Sequence, residues 1–264
     1  MIFPSPDPDH LGTMLAALRA RRPLVHCLTN QVAANLTANA LLCVGASPLM
    51  AEADDEVAVL SPDVLLINLG MQTPARMRAA RIAVAAARRQ GIPWVLDPVA
   101  AGALPSRTTL ALELATSRPA VIKGNASEII ALAGGQGGRG TDATVPTLEA
   151  QASAEALARH TGAVIAITGP EDIVTDGQRT TIVRHGHPMM AQISGLGCVA
   201  GALIAACLTV ETDAVLAAAN ALALLGWTAE RAAVQAGGPG SLQVGLLDEL
   251  SRIGSEPSAL HDVR

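Results

Sequence analysis

The sequence predicts an α/β fold with a mostly parallel central sheet and helices on both faces. Short apolar runs alternate with longer alanine-rich segments, and half of the 264 residues are hydrophobic. The apolar runs recur roughly every thirty residues, which is the length of a strand, a crossover helix and the next parallel strand. Because parallel strands are covered on both faces, they are apolar throughout rather than alternating.

Five buried strands are predicted where short apolar runs end at Gly, Asp, Asn or a following turn. They are PLVHCLTN (23–30), DVLLINLG (63–70), IPWVLDPV (92–99), AVIKGN (120–125) and AVIAITG (163–169). A hairpin is predicted next, because two extended runs flank Asp176–Gly177 in DIVTDGQRTTIVRHG.

Helices are predicted between and after the strands from alanine content and end signals. Two lie between strands, at 73–91 and 106–117, and three follow the hairpin, at 197–210, 212–237 and 239–253. The glycine-rich segment 134–142 is expected to be a surface loop. Since no composition shift marks a linker, residues 1–264 are predicted to form a single domain.

Composition excludes several classes of partner. A net charge of -5 gives no basic field for nucleic acid or an acidic membrane surface, and one Phe, two Trp and no Tyr leave no platform for base stacking. The four cysteines form no C-x-x-C pair, and the N-terminal MIFPSPDPDH lacks the pattern of a signal peptide. We therefore expect reduced thiols, a cytoplasmic location and no membrane association.

Polar residues cluster at the ends of the predicted strands. In open α/β sheets ligands bind beyond the carboxyl ends of the strands. The candidates there are Thr29, Asn30, Asn68, Gly70, Asp97, Lys123, Asn125, Glu128, Thr168 and Gly169. Lys123 is notable because it is the single lysine beside seventeen arginines.

Three of these residues could form a polyphosphate site. Lys123 could neutralise phosphate, while Asp97 and Glu128 could hold a Mg²⁺ ion that keeps most of its waters. A capping role for either carboxylate is the alternative.

The segment GLGC, from Gly195 to Cys198, precedes an apolar helix. The free N–H groups of a helix start attract anions. Gly197 is therefore a candidate for ATP binding through its N–H group. Cys198 would lie in the same first turn, where the pKa of a thiol is lowered. Packing as a small buried hydrophobe is the equal alternative for this cysteine.

Other patterns have weaker interpretations. Gly195, Gly197 and Gly201 match a dinucleotide-binding spacing, but the preceding segment is a poor strand. His185 and His187 could hold a metal, although a turn is the commoner explanation. Asn35 and Asn39 share one helix face.

Eight segments, in order over most of the chain, look like the successive characteristic segments of hydroxyethylthiazole kinase. They are HCLTNQVAANLTAN (26–39), GASPLMAEADDEV (45–57), NLG (68–70), LDPVAAGA (96–103), VIKGNASEI (121–129), ITGPEDIVTDG (167–177), GHPMM (186–190) and GLGC (195–198). The resemblance implies a ribokinase-like fold and phosphorylation by ATP of the hydroxyl of 4-methyl-5-(2-hydroxyethyl)thiazole, for thiamine biosynthesis or salvage. It also implies a homotrimer with thiazole sites between subunits, near residues 30–39.

The resemblance assigns roles residue by residue. It places Met50, Asn30 and Gly195 at the thiazole, Lys123 and Thr168 at ATP, and Asp97 and Glu128 at Mg²⁺ and phosphates. Cys198 stands where related ribokinase-like enzymes carry their catalytic aspartate.

The chain departs from the family pattern at two positions. Lys123 stands where the family often has arginine, so phosphate would meet a point charge without the bidentate fork. Leu196 stands where Thr or Ser is more usual, which removes a hydroxyl and leaves the backbone N–H groups. Another ribokinase-like kinase, an ATP-dependent hydrate dehydratase and a non-catalytic thiazole-binding trimer are the competing hypotheses.

Overall fold

The computed structural model describes residues 2–3, 7–135 and 146–253. The strands in these ranges are β1 (Ile2–Phe3), β2 (Leu24–Leu28), β3 (Ser47–Leu49), β4 (Val64–Asn68), β5 (Trp94–Asp97), β6 (Val121–Asn125), β7 (Val164–Thr168), β8 (Asp172–Thr175) and β9 (Thr180–Val183). They form one sheet in the order β1-β9-β8-β7-β6-β5-β4-β2-β3.

The helices of the same ranges are α1 (Pro8–Arg21), α2 (Ala34–Cys43), α3 (Asp54–Val59), α4 (Pro74–Gln90), α5 (Pro105–Ala115), α6 (Ala126–Leu132), α7 (Gln151–Thr161), α8 (Leu196–Cys207), α9 (Ala214–Ala233) and α10 (Pro239–Arg252). Short 3₁₀ helices cover Thr147–Ala150 and Pro188–Gln192.

The six strands β2 to β7 are parallel, and β8 is antiparallel to both of its neighbours. The predicted parallel sheet and the hairpin at Asp176–Gly177 are thus confirmed. The chain leaves β2 toward β3 on one side and then crosses to β4 on the other, so the strand order reverses at β2. A crevice for a ligand is expected at such a reversal.

Two hydrophobic cores cover the two faces of the sheet. One contains residues of α1, α2, α8, α9 and α10, and the other contains residues of α3 to α7. Successive strand residues alternate between them: Leu66 lies in the first core, whereas Leu65 and Ile67 lie in the second. Because both faces are covered, every residue of β4 is buried, which explains the continuous apolar runs in the sequence.

The predicted strands and helices are present, with ends shifted by a few residues. Strands β1 and β3 and helices α1, α3 and α7 were not predicted from the sequence. Most of the predicted loop 134–142 lies outside the described residues, and the single-domain organisation stays a prediction. None of the described helices is long and apolar enough to cross a membrane.

The dinucleotide-binding hypothesis is wrong. A short 3₁₀ helix, rather than a strand, precedes Gly195, and α8 leads into α9 rather than into another strand. A dinucleotide fingerprint needs a strand on both sides of its helix.

Candidate active site

The carboxyl ends of six neighbouring strands bring the predicted residues to one edge of the sheet. Thr168 ends β7, Lys123 lies in β6, Asp97 ends β5 and Asn68 ends β4, while Asn30 and Met50 follow β2 and β3. The spatial order of these strands is β7, β6, β5, β4, β2, β3. The residues assigned to ATP therefore lie on one side, those assigned to thiazole on the other, and Asp97 between them.

Asp97 and Lys123 form a buried ion pair at the centre of this edge. The Lys123 Nζ atom lies 3.6 Å from Asp97 Oδ1, and the two side chains are 5% and 0% exposed. Burial raises the pKa of Asp97, and Lys123 and Asn68 partly offset that effect. Burial alone lowers the pKa of Lys123, but the surrounding negative groups, Asp97 first, outweigh it and raise that pKa. Each charged group of the pair therefore favours the charged form of the other.

Glu128 is held by backbone N–H groups at the start of α6. Its Oε1 accepts from Ala100 N at 2.8 Å, and its Oε2 accepts from Asn125 N at 2.8 Å. The Asn125 side chain accepts from Glu128 N in return, which makes a capping box. Burial raises the pKa of Glu128 to about 7, and Asp97 contributes in the same direction. Glu128 therefore has the predicted capping role, and this role does not exclude the predicted one beside Mg²⁺ and the phosphates.

Helix α8 begins directly beside Asp97 and Lys123. A Cβ atom at Gly197 would lie 3.4 Å from Lys123 Nζ, and one at Gly201 would lie 3.5 Å from Asp97 Oδ2. No described side chain caps the helix, and its first intrahelical bond runs from Val199 N to Gly195 O. The N–H groups of the first turn are thus available to an anion.

Gly195 is required at the start of this helix for two reasons. Its φ is +91°, a left-handed conformation that other residues adopt with strain. A Cβ atom there would also lie 3.2 Å from Ala33 Cα. The glycine therefore lets the segment before α2 approach the first turn of α8.

Cys198 lies in that first turn and contacts the thiazole side of the edge. Its Sγ atom accepts a hydrogen bond from Asn30 Nδ2 at 3.3 Å. Burial and the Asp97 charge raise the pKa of the thiol, while Lys123 and hydrogen bonds from Asn30 and Asn68 oppose the shift. The expectation of a lowered pKa is therefore wrong, because burial outweighs the helix start. All four cysteines are free.

A cavity of about 770 Å³ borders the ATP side of the edge. Its lining includes Thr168 and Gly197, both assigned to ATP, together with Leu196. Pockets for small molecules span about 300 to 1,000 Å³, so the volume suits a nucleotide. Leu196 supplies apolar wall where the family pattern has a hydroxyl.

The Met50 side of the edge is built differently. Met50 is partly buried against the hydrophobic core that contains α8. The following residue is fixed by His26, whose buried Nε2 atom lies 2.8 Å from Ala51 O. Arg76 of α4 contacts Glu52 at 2.9 Å and also donates to the Thr29 carbonyl. Two side chains thus hold residues 51 and 52 in place beside the end of β2.

Asp172 borders the same cavity and was missed from the sequence. Its Oδ1 accepts from Gly169 N at 2.9 Å, and burial raises its pKa to about 7. The predicted polar candidates follow the carboxyl ends of parallel strands, whereas Asp172 begins β8. Because β8 is antiparallel to β7, its first residue lies at the edge where β7 ends, and the predicted hairpin contained this signal.

The histidine and asparagine pairs have structural roles. His185 packs on Trp227 with ring centroids 4.6 Å apart, and the His187 side chain accepts from Met189 N. Among the described residues there is no group of three or more possible metal ligands, so a metal site at the histidines has no support. Asn39 Nδ2 donates to Asn35 Oδ1 at 3.1 Å, as expected for a shared helix face.

The sheet topology and the charged groups at its edge define a ribokinase-like small-molecule kinase. In agreement, an Enterococcus faecalis ribokinase-like superfamily protein shares the fold, with a TM-score of 0.66, 15% identity and coverage of 93% of this chain and 95% of its own. The hydroxyethylthiazole kinase family model matches residues 15–256. The chain belongs to the hydroxyethylthiazole kinase family.

Two relatives illustrate the membership. A hydroxyethylthiazole kinase of Granulibacter bethesdensis is 52% identical over 245 residues, which cover 92% of this chain and 89% of the relative. The structure of a hydroxyethylthiazole kinase protein from Pyrococcus horikoshii OT3 has a TM-score of 0.88 and 39% identity, and the match covers 96% of both chains. The resemblance seen in the sequence is thereby confirmed.

Proposed function

We propose that this protein transfers the terminal phosphoryl group of ATP to the hydroxyl group of 4-methyl-5-(2-hydroxyethyl)thiazole, with Mg²⁺. The product would enter thiamine biosynthesis or salvage. The observation that carries the proposal is the order of side chains along the sheet edge. Thr168 lines the cavity, Lys123 and Asp97 follow on the next two strands, and Asn30 and Met50 lie beyond them. Donor and acceptor would thus meet at Asp97 and the start of α8.

Asp97 and Glu128 fit a magnesium ion. The Asp97 Oδ1 atom is buried and lies 3.6 Å from Lys123 Nζ, beyond hydrogen-bond distance, and it accepts no hydrogen bond from a described residue. This oxygen could therefore also contact a cation or its water. Mg²⁺ prefers oxygen ligands and is commonly held by one or two carboxylates together with substrate phosphates. When bound, the ion would neutralise charge on the phosphate oxygens.

Phosphoryl transfer depends on positioning and on stabilising charge at the transferred group. Lys123 supplies the buried ammonium group beside Gly197. The N–H groups of Leu196, Gly197 and Cys198 point from the positive end of α8. Together they form an anion hole between the nucleotide cavity and Asn30. The loss of a hydroxyl at Leu196 leaves this hole intact, because its donors are backbone groups.

Cys198 assists by orienting the substrate hydroxyl or accepting its proton. The raised pKa favours the neutral thiol at pH 7, which limits the fraction able to act as a base. We therefore assign most of the stabilisation to the amide groups, Lys123 and the bound metal.

The test is a coupled assay for ADP release with the thiazole alcohol and Mg-ATP. For the wild type we expect ADP release that requires the thiazole. Cys198→Ala should lower kcat by about 10- to 100-fold, at or below the lower end of the range for general acid–base catalysis. The dissociation constant for the thiazole should change less than about threefold, since its other contacts remain.

Each other outcome has a defined meaning. Unchanged turnover in Cys198→Ala would assign the cysteine to packing alone. Thiazole binding without any thiazole-dependent ADP release would favour the non-catalytic binding protein. ADP release with a different heterocyclic alcohol, and none with this one, would favour another ribokinase-like activity.

We further propose a homotrimer whose thiazole sites lie between subunits. Exposed apolar side chains support this: Val32 before α2 and Leu42 in the last turn of α2 are each 60% exposed, and Met71 after β4 is 44% exposed. Light scattering should give a mass three times that of the chain. Val32→Glu together with Leu42→Glu should lower that mass and weaken thiazole binding, whereas a monomeric wild type would contradict the proposal. The cytoplasmic location also stays a prediction.

A further inference from the structure

Asn68 connects Asp97, at the centre of the sheet edge, to Asn30 and Cys198 on the side assigned to the thiazole. It is 2% exposed and ends β4, directly opposite Asp97 in the register of β4 and β5. Its Nδ2 donates to Asp97 Oδ2 at 2.7 Å, and its Oδ1 accepts from Asn30 Nδ2 at 3.0 Å. Asn30 Nδ2 in turn reaches Cys198 Sγ at 3.3 Å. The four side chains form a continuous hydrogen-bond chain.

Backbone N–H groups fix the direction of this chain. Gly70 N donates to Asn68 Oδ1 at 3.0 Å, and Ala33 N donates to Asn30 Oδ1 at 3.1 Å. Because a backbone N–H can only donate, each amide oxygen must face it, and each amide nitrogen must face the other way. Asn68 therefore donates to Asp97, and Asn30 donates to the sulfur of Cys198.

Space around the chain allows little adjustment. A Cβ atom at Gly70 would lie 2.6 Å from Asn30 Nδ2 and 2.8 Å from Asn30 Cβ. Asn30 is also buried, with 6% exposure. The amide pair is thus clamped between the backbone after β4 and the start of α8, so a shift of Asn68 must move Asn30 or Asp97.

We propose that Asn68 is a positioning residue that fixes the distance between Asp97 and the thiol of Cys198. Asn68 holds Asp97 directly and holds Cys198 through Asn30. The reacting hydroxyl and the transferred phosphoryl group must meet between these two ends, and small errors in such alignment are costly in rate. The role in catalysis rests on the proposed function, whereas the hydrogen-bond chain itself does not.

Two variants separate the arms of the chain. Asn68→Asp keeps an acceptor for Asn30 and Gly70 but, when ionised, cannot donate to Asp97. Asn30→Ala leaves the Asn68–Asp97 hydrogen bond in place and removes the hydrogen bonds that Asn30 makes with Asn68, Cys198 and Ala33 N. We expect Asn68→Asp to lower kcat by about 10- to 100-fold, as for residues that orient groups at a site. The dissociation constant of the thiazole, measured by calorimetry without nucleotide, should change less than about threefold.

A double-mutant cycle provides the readout that a structural role would not move. If Asn68 acts through the thiol, Asn68→Ala should reduce kcat at least about threefold less in the Cys198→Ala background than in the wild type. Gln90→Glu is the matched control, because it changes an exposed amide to a carboxylate where the side chain donates to Leu60 O. We expect it to leave kcat and KM unchanged.

The outcomes are distinguishable. Multiplicative effects on kcat, or an unchanged kcat in both Asn68 variants, would overturn the proposal. If the wild type releases no thiazole-dependent ADP, the proposed function fails. The hydrogen-bond chain is then tested separately, by measuring the unfolding equilibrium constants of the same single and double variants. We expect the effects of the two substitutions on the unfolding equilibrium constant to depart from multiplicativity by at least about threefold. Purely multiplicative effects on that constant would contradict the hydrogen-bond chain itself.

Discussion

Asp97→Asn will abolish most of the thiazole-dependent ADP release, lowering kcat by about 10²- to 10³-fold, the range seen when one electrostatic contact to a transition state is removed. The substitution keeps size and shape at a fully buried position and removes the charge that would hold a divalent cation. Saturating Mg²⁺ should not restore the rate, because the lost oxygen has no described substitute. Steady-state kinetics over a range of Mg²⁺ concentrations will measure this.

The same substitution will also lower stability. Lys123 would keep its buried ammonium group and lose its nearest counter-charge at 3.6 Å. Breaking a buried pair costs about 3 to 5 kcal/mol. We expect the lower end of that range, since Glu128 remains as a second negative neighbour. Urea unfolding of the two proteins will give the difference.

Asp63→Asn is the matched control for the charge change. Asp63 precedes β4, at the edge of the sheet opposite the candidate site, where it accepts from Leu24 N and contacts Arg21. We expect its kcat to equal that of the wild type within about twofold, as for surface changes away from a site. Asp97→Asn with a kcat within tenfold of the wild type would contradict a role for this carboxylate in transfer.

Lys123→Met will lower kcat/KM for ATP by about 10²- to 10³-fold, because it leaves a buried charge unpaired and removes a charge-assisted contact to phosphate. Methionine is also long and unbranched, so the strand should keep its packing. Thiazole binding without nucleotide should change less than about threefold, since Asn30 and Met50 follow β2 and β3 rather than β6. Calorimetry with ATP and with the thiazole alcohol, taken separately, will measure the two effects.

Lys123→Arg tests the departure from the family pattern. The guanidinium group keeps the positive charge and adds a bidentate fork for phosphate. We expect at least about a tenth of the wild-type kcat/KM, with any loss caused by crowding at a position that is 4% exposed. Equal losses in the methionine and arginine variants would mean that shape, rather than charge, matters at this position.

The double variant Asp97→Asn with Lys123→Met separates stability from activity. It replaces both members of the ion pair by neutral groups, and such replacements are often neutral for stability. We expect its free energy of unfolding to exceed that of Asp97→Asn alone. Its rate of ADP release should stay at the level of the less active of the two single variants. Recovery of activity along with stability would show that the single variants failed only by misfolding.

The sequence predicted most of the sheet, because fully buried strands leave uninterrupted apolar runs and turn residues mark their ends. It also placed Asp97, Lys123 and Thr168 at strand ends and Glu128 shortly after one, since the carboxyl-end rule needs only the strand boundaries. The elements that the sequence did not predict are short strands, such as β3 with three residues, and helices that lie outside the central sheet. Their pairing depends on neighbours far along the chain, which local pattern does not contain.

The amino-acid sequence by itself determined the fold class, the family and the set of polar residues at the sheet edge, because these follow from periodicity, end signals and long matching segments. The tertiary structure alone decided how those residues interact. Burial reversed the expected direction of the pKa of Cys198, and the register of β4 and β5 set Asn68 against Asp97. Both results depend on distances between segments about thirty or more residues apart in the chain, and such distances arise only when loop closure and packing bring the strands together.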